Sequence, residues 1–183
     1  MRVVAGVGLV IVTLMAVGCG ASKGDSGEAA KSVNSLGLET SPPESYHPCA
    51  DVPQGVLGSE RLRGTGQADA DAPDGVRWRG CKWVKNNGYS VSIRMTNMTL
   101  PFVRKTFYTM GREATVGGRS ATIAHRSEAR GPEVCTVNVE IKGGSLEFDV
   151  DNPRSSLLTG ELDTCELGLA LAEKVVPTLP AGA

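Results

Sequence analysis

Polar and apolar residues alternate along three stretches of the chain, and each alternation predicts a strand with one buried and one wet face. In "YSVSIRM", Tyr89, Val91, Ile93 and Met95 share one side, while Ser90, Ser92 and Arg94 take the other. "CTVNVEI" puts Cys135, Val137, Val139 and Ile141 together, and "SLEFDV" does the same for Leu146, Phe148 and Val150. Period-two burial of this kind belongs to an antiparallel sheet. Turn signals separate the strands: Asn87-Gly88 after "GCKWV", Gly117-Gly118 between "ATV" and "RSATIAH", and Gly143-Gly144 between "VNVEIK" and "SLEFDV". Each offers the positive φ that a short hairpin needs, so the strands are expected to run as a meander.

Toward the C-terminus the period changes. Leu162, Cys165, Leu169, Ala172 and Val176 recur at three or four residues, Asp163 and Glu166 have the spacing of a helix-opening box, and Pro177 closes the run. This helix is expected to cover the apolar sheet face. Two shorter helices are expected, one near Pro53 and one from Leu100 to Met110, the latter with Val103, Phe107 and Met110 on one side and Gly111 at its end. The resulting fold class is α+β: an antiparallel meander with one face covered by the C-terminal helix and shorter helices, an arrangement similar to PsbP-like folds.

The first segment has a different character. Residues 1–18 read as a secretion leader, with Arg2 as its positive start and an apolar run from Val3 to Val17. That run spans only about 22 Å as a helix, short of the roughly 30 Å hydrocarbon core, so it suits a signal peptide better than a membrane span. Ala16, Val17 and Gly18 then lead to Cys19. This resembles the bacterial lipobox, in which a peptidase cuts before a cysteine whose thiol carries diacylglycerol; Ala16 stands where leucine is usual. Residues 19–47 begin with the Cys19 lipid site, are rich in Gly, Ser and charge, and read as a flexible tether with a reach of about 30 Å. Residues 48–183 are left as a single domain. The expected address is the outer face of the cytoplasmic membrane, held by the two chains on Cys19 and commonly a third such as palmitate.

Cysteine arithmetic agrees. Five cysteines are an odd number, and with Cys19 acylated the remaining four can form two disulfides in three connectivities. Adjacent pairing, Cys49–Cys81 and Cys135–Cys165, is expected, since Cys135 lies on the core face of its strand and Cys165 on the apolar face of the helix. A zinc site is the rival reading; the chain has no C-x-x-C pair to support it.

Three pieces of sequence carry a family resemblance: Pro48-Cys49, "GCKW" at Gly80 to Trp83, and the terminal "DTCELGLALAEKVVPTLP". Together they resemble the actinobacterial lipoproteins catalogued as domain of unknown function 3558, over about residues 44 to 180. His47 stands where that family usually has Asp. The resemblance implies an envelope-anchored α+β domain with no established activity.

Chemistry is sparse. The formal charge of −1 comes from scattered basic and acidic residues, without the basic stripe of a nucleic-acid binder. The two histidines, His47 and His125, stand far apart, and no G-x-S-x-G elbow accompanies them. "DADAPDG" (Asp69, Asp71, Asp74, Gly75) has acids at loop positions one and three, but Pro73 at five and Gly80 at twelve break the calcium pattern. Asn97 opens an N-x-T sequon that a bacterial leader makes a chance match. Trp78 and Trp83 fall at opposite parity on one strand, and Trp78 is the candidate exposed aromatic for binding. The expected function is a non-enzymatic binding module, tethered to the membrane, whose partner is an envelope protein, a lipid or a small molecule. The alternative is an envelope hydrolase with an unfamiliar site. No catalytic residue, cofactor or metal is assigned.

Overall fold

The computed structural model describes residues 32–106, 111–125 and 130–183. The leader, Cys19, the first part of the predicted tether, and Phe107 and Met110 of the predicted second helix lie outside those residues. No helix among the described residues is long and apolar enough to cross a membrane.

The described residues form an α+β unit around an eight-stranded antiparallel sheet. Its strands are β1 (Leu62–Gln67), β2 (Ala70–Asp71), β3 (Arg77–Lys85), β4 (Ser90–Thr96), β5 (Arg112–Val116), β6 (Arg119–His125), β7 (Val134–Ile141) and β8 (Gly144–Asp151). They lie in the order β1-β3-β4-β8-β7-β6-β5, with β2 paired on β3. The meander is therefore interrupted. After β4 the chain leaves through α3 (Leu100–Thr106), enters at the far edge with β5, and returns strand by strand until β8 lies beside β4. Register explains the closure: Val91, Ile93 and Met95 stand opposite Val150, Phe148 and Leu146, three apolar cross-strand pairs on one face. The β5–β6 hairpin turns through Gly117 (φ 57°) and Gly118 (φ 80°). In the β3–β4 hairpin the positive φ of 56° falls on Asn87 and not on Gly88.

The apolar face is covered by α4 (Thr164–Val175), packed on β7 and β8. Its N-terminus is local chemistry: the Asp163 carboxylate accepts the Glu166 N–H at 3.0 Å, satisfying one orphan donor of the first turn. Cys165, Gly168, Leu171, Ala172 and Val175 are buried, whereas Leu162 is 53% exposed and Leu169 only partly buried. The stripe is rotated from the predicted one because the helix approaches the sheet over Gly168, where a Cβ would lie 3.2 Å from the Val137 and Val150 side chains. The α-helix stops at Val175, two residues before Pro177, as expected from the backbone that proline imposes on its predecessor. Two short helices, α1 (Pro48–Asp51) and α2 (Gln54–Glu60), bring Val52 and Leu57 to the same core.

Two expectations need correction. The second sheet face is not wet: Arg94, Thr96, Thr122, Thr136, Asn138, Ser145 and Glu147 are all buried, beside a small second core of Leu38, Val76, Trp78, Met98 and Val103. Residues 32–47, read from composition as tether, are docked on that fold. The Asn34 side-chain oxygen accepts the Leu36 and Leu38 N–H groups, and its amide donates to Gly75 O at 3.1 Å. Leu38 and Tyr46 are 3% and 2% exposed. A low average hydrophobicity hides these two anchors.

Candidate functional site

Three places gather chemically capable side chains. The first is a charged network on the second sheet face. Arg94 on β4 and Glu147 on β8 stand directly opposite each other. Arg94 Nε donates to Glu147 Oε1 at 3.1 Å, its Nη2 donates to the same oxygen, and Nη2 also reaches Asp149 Oδ2 at 3.1 Å. Trp78 Nε1 donates to Glu147 Oε2 at 3.1 Å, and the guanidinium carbon sits 5.6 Å from the Trp78 ring centre. The expectation of an exposed, ligand-binding Trp78 is thereby overturned: it is 7% exposed and its one polar atom is engaged. Ionic groups buried this way stand only when paired and hydrogen-bonded. The chemistry is that of an internal brace.

The second place is a groove of about 400 Å³ between residues 41–49 and the β3 side of the sheet. Pro42, Pro43, Tyr46 and Pro48 form one wall, while Gln67, Asp69 and Arg79 bring polar groups to the other. Arg79 pairs with Asp71 at 2.6 Å and holds that carboxyl below its usual range. The Tyr46 hydroxyl is pushed up to about 12 by burial, so it remains a neutral hydroxyl at physiological pH. Mixed polar and apolar walls around a volume of this size are what ligand pockets offer.

The third place is the Cys135–Cys165 disulfide with His125. β6 and β7 pair His125 directly with Cys135, and Cys165 is the second residue of α4. His125 Nδ1 lies 3.1 Å from Val134 O; a carbonyl only accepts, so Nδ1 carries the proton and Nε2 is the basic nitrogen. Cys165 Sγ is 3.7 Å from Nε2 and 4.0 Å from Nδ1. A cavity of about 180 Å³ is lined by Arg112, His125, Asp163, Cys165 and Glu166 among others. The three potential ligand atoms of His125, Cys135 and Cys165 lie within 4.8 Å of one another, but both sulfurs are bonded to each other, so the trio as it stands is a disulfide site and not a metal centre.

The remaining sequence candidates have structural roles. Asp69 accepts the Gly80 N–H and Asp74 the Val76 N–H, while Asp71 takes Arg79. These acids close a turn around Gly75 (φ 87°). Asn97 is fully buried; its amide donates to Glu39 O and Gly75 O, and its oxygen accepts the Arg77 N–H. His47 precedes α1 without capping it through its side chain; its backbone N–H donates to Asp51. Cys49 is joined to Cys81 and Cys135 to Cys165. Sequence reasoning misses both the brace and the His125 contact, although Arg94 and Glu147 share mid-strand positions and His125 shares the parity of the core face.

The two disulfides, α1 with Pro48-Cys49 and the capped C-terminal helix place the motif-bearing residues within one fold. A family model described as Protein of unknown function (DUF3558) matches residues 14–178. The chain belongs to that family. Within this DUF3558 chain the match takes in every strand and all of α4. Comparison with curated proteins gives no match, and comparison with solved structures gives none either.

Proposed function

We propose that this DUF3558 chain is an exported lipoprotein, held at the outer face of the cytoplasmic membrane by acylated Cys19, whose domain acts by binding and not by turnover. The observation that carries the reading is the use of the cysteines. Four of the five are engaged in two disulfides, a state suited to an oxidising compartment outside the cytoplasm. Only Cys19 is left over, and it stands at the end of the apolar run where a lipid would be attached. The groove beside Tyr46 and Arg79 supports the second half of the reading, since it offers an open volume to a small molecule or an extended segment of an envelope protein.

The test is metabolic labelling with an alkyne fatty acid in the native host. The wild-type chain should carry label and fractionate with membranes, while Cys19→Ala should be unlabelled and retain its leader. Equal membrane retention and equal mature size in the two chains would remove the anchor from the reading.

A further inference from the structure

The fold staples α4 to the sheet with a disulfide and then places a histidine against the Cys165 sulfur. We propose that Cys135–Cys165 is a thiol–disulfide exchange site that accepts electrons from a paired-thiol (dithiol) segment of another exported protein, with Cys165 as the sulfur attacked and His125 as the proton carrier. This goes beyond the binding reading and does not depend on the lipid anchor.

Three independent features of the site favour exchange. Cys165 lies in the first turn of a twelve-residue helix, where unpaired N–H groups and the helix dipole stabilise a thiolate. Cys165 Sγ lies against the His125 ring, 3.7 Å from the basic Nε2 and 4.0 Å from Nδ1, and Nδ1 is fixed on Val134 O. The two sulfurs differ in surroundings: both residues are buried, Cys135 at 0% and Cys165 at 7% exposure, and Cys165 is the one that lines the cavity beside His125. Among the described residues, the charged groups lining the cavity are Arg112, Asp163 and Glu166. Arg112 pairs with Glu166 at 2.5 Å, and Asp163 caps the Glu166 N–H, so both carboxylates have partners other than the sulfur. Cys49–Cys81 lacks these features. Cys49 sits in a four-residue helix with no long dipole behind it.

The chemistry balances within the two molecules. A partner thiol gives its proton to His125, and the resulting thiolate attacks Cys165 Sγ. The partner–Cys165 bond forms, the Cys135–Cys165 bond breaks, and Cys135 leaves with the electron pair and takes the proton from His125. The partner's second thiol then loses its proton to His125 and attacks the partner sulfur of the mixed disulfide. Cys165 departs as a thiolate at the helix N-terminus, beside the imidazolium. The partner is oxidised by two electrons, and the Cys135–Cys165 bond is reduced by two.

Dithiothreitol serves as the probe on the full chain solubilised from membranes. Timed quenching with iodoacetamide and peptide mapping track each disulfide separately. At pH 6.5 full reduction of Cys135–Cys165 should run at least about threefold faster than that of Cys49–Cys81, the fraction of one unit of thiolate stabilisation that reaches the rate at which Cys165 departs in the second step, although Cys49 is the more exposed. Glutathione, a single thiol, should be trapped on Cys165 and not on Cys135. His125→Gln should remove most of the rate advantage while leaving the circular-dichroism spectrum unchanged. Faster opening of Cys49–Cys81 in the wild-type chain, or trapping on Cys135, overturns the proposal without recourse to any variant. An unchanged rate in His125→Gln overturns the part given to His125.

Discussion

Replacing Arg94 with alanine is the sharpest test of the brace on the second sheet face. The wild-type guanidinium holds Glu147 through Nε and Nη2 and Asp149 through Nη2. The Glu147 side chain is only 1% exposed. With Arg94 gone it keeps the Trp78 indole N–H as partner and loses the charge that compensates its own. Breaking one side of a buried pair costs about 3–5 kcal/mol, chiefly because the survivor stays buried and charged. For a domain of this size, each kcal/mol lowers the melting temperature by about 2–4 °C, so a loss of about 10 °C is expected. Urea melts monitored by circular dichroism and by the fluorescence of the two tryptophans, one of them Trp78, measure it. The paired replacement Arg94→Met with Glu147→Leu removes both charges and should recover most of the loss, because the desolvation cost goes with them. A cost below about 1 kcal/mol for Arg94→Ala would mean that the pair is solvated like a surface salt bridge, and the buried-brace reading would be wrong.

Three further outcomes are expected. Asn97→Ala removes two bonds to Glu39 O and Gly75 O and one from Arg77 N; it should cost at least about 2 kcal/mol and expose residues 32–47 to limited proteolysis, and unchanged protease resistance would contradict the part given to Asn97 in docking them. Burial raises the Tyr46 hydroxyl to about 12, so it retains its proton between about pH 10 and 12 while an unfolded tyrosine loses it; buried Tyr89 is raised in the same direction, so Tyr46's own share, about 2–3 kcal/mol lost across that window, is read as the difference between wild type and Tyr46→Phe in urea midpoints at pH 8, 10 and 12, and parallel profiles would refute it. Gln67→Trp should fill the groove beside Arg79 and abolish any crosslink that wild-type chain forms through this face in intact cells; the same crosslinks at the same yield would move the binding surface elsewhere.

How much of this is legible in the sequence depends on the range of each interaction. The α4 cap can be read because Asp163 and the N–H it accepts are three residues apart. The core faces of β4, β7 and β8 can be read because period-two alternation is local. The β4–β8 pairing cannot: it joins residues about fifty positions apart, and alternation says which face a residue takes and nothing about which strand lies beside it. Polar character misleads on the second face. Arg94, Thr136 and Asn138 look wet in isolation, but their hydrogen-bond partners Glu147, Asp149 and Ser145 all come from β8, and Trp78 stands against Arg94. Trp78 misleads for the same reason, since its hydrogen-bond partner Glu147 is sixty-nine residues away. Parity puts His125 on the correct strand face, but its meeting with Cys165 depends on where α4 crosses the sheet.

The outer strands of the sheet have a bearing on how the protein survives in a crowded space. At one border, β1 loses its register between Gly64 and Gly66, and Gly66 turns to φ 136°, so its free row of amides is not straight enough to template another strand. At the other, β5 is five residues long and carries Arg112 and Glu113, each tied into an ion pair; a newcomer would have to strip those pairs before it could zip on. Both borders thus resist edge-to-edge aggregation, and they do so through backbone shape and short length, features that leave the groove and the sulfur cavity open for contacts made by side chains.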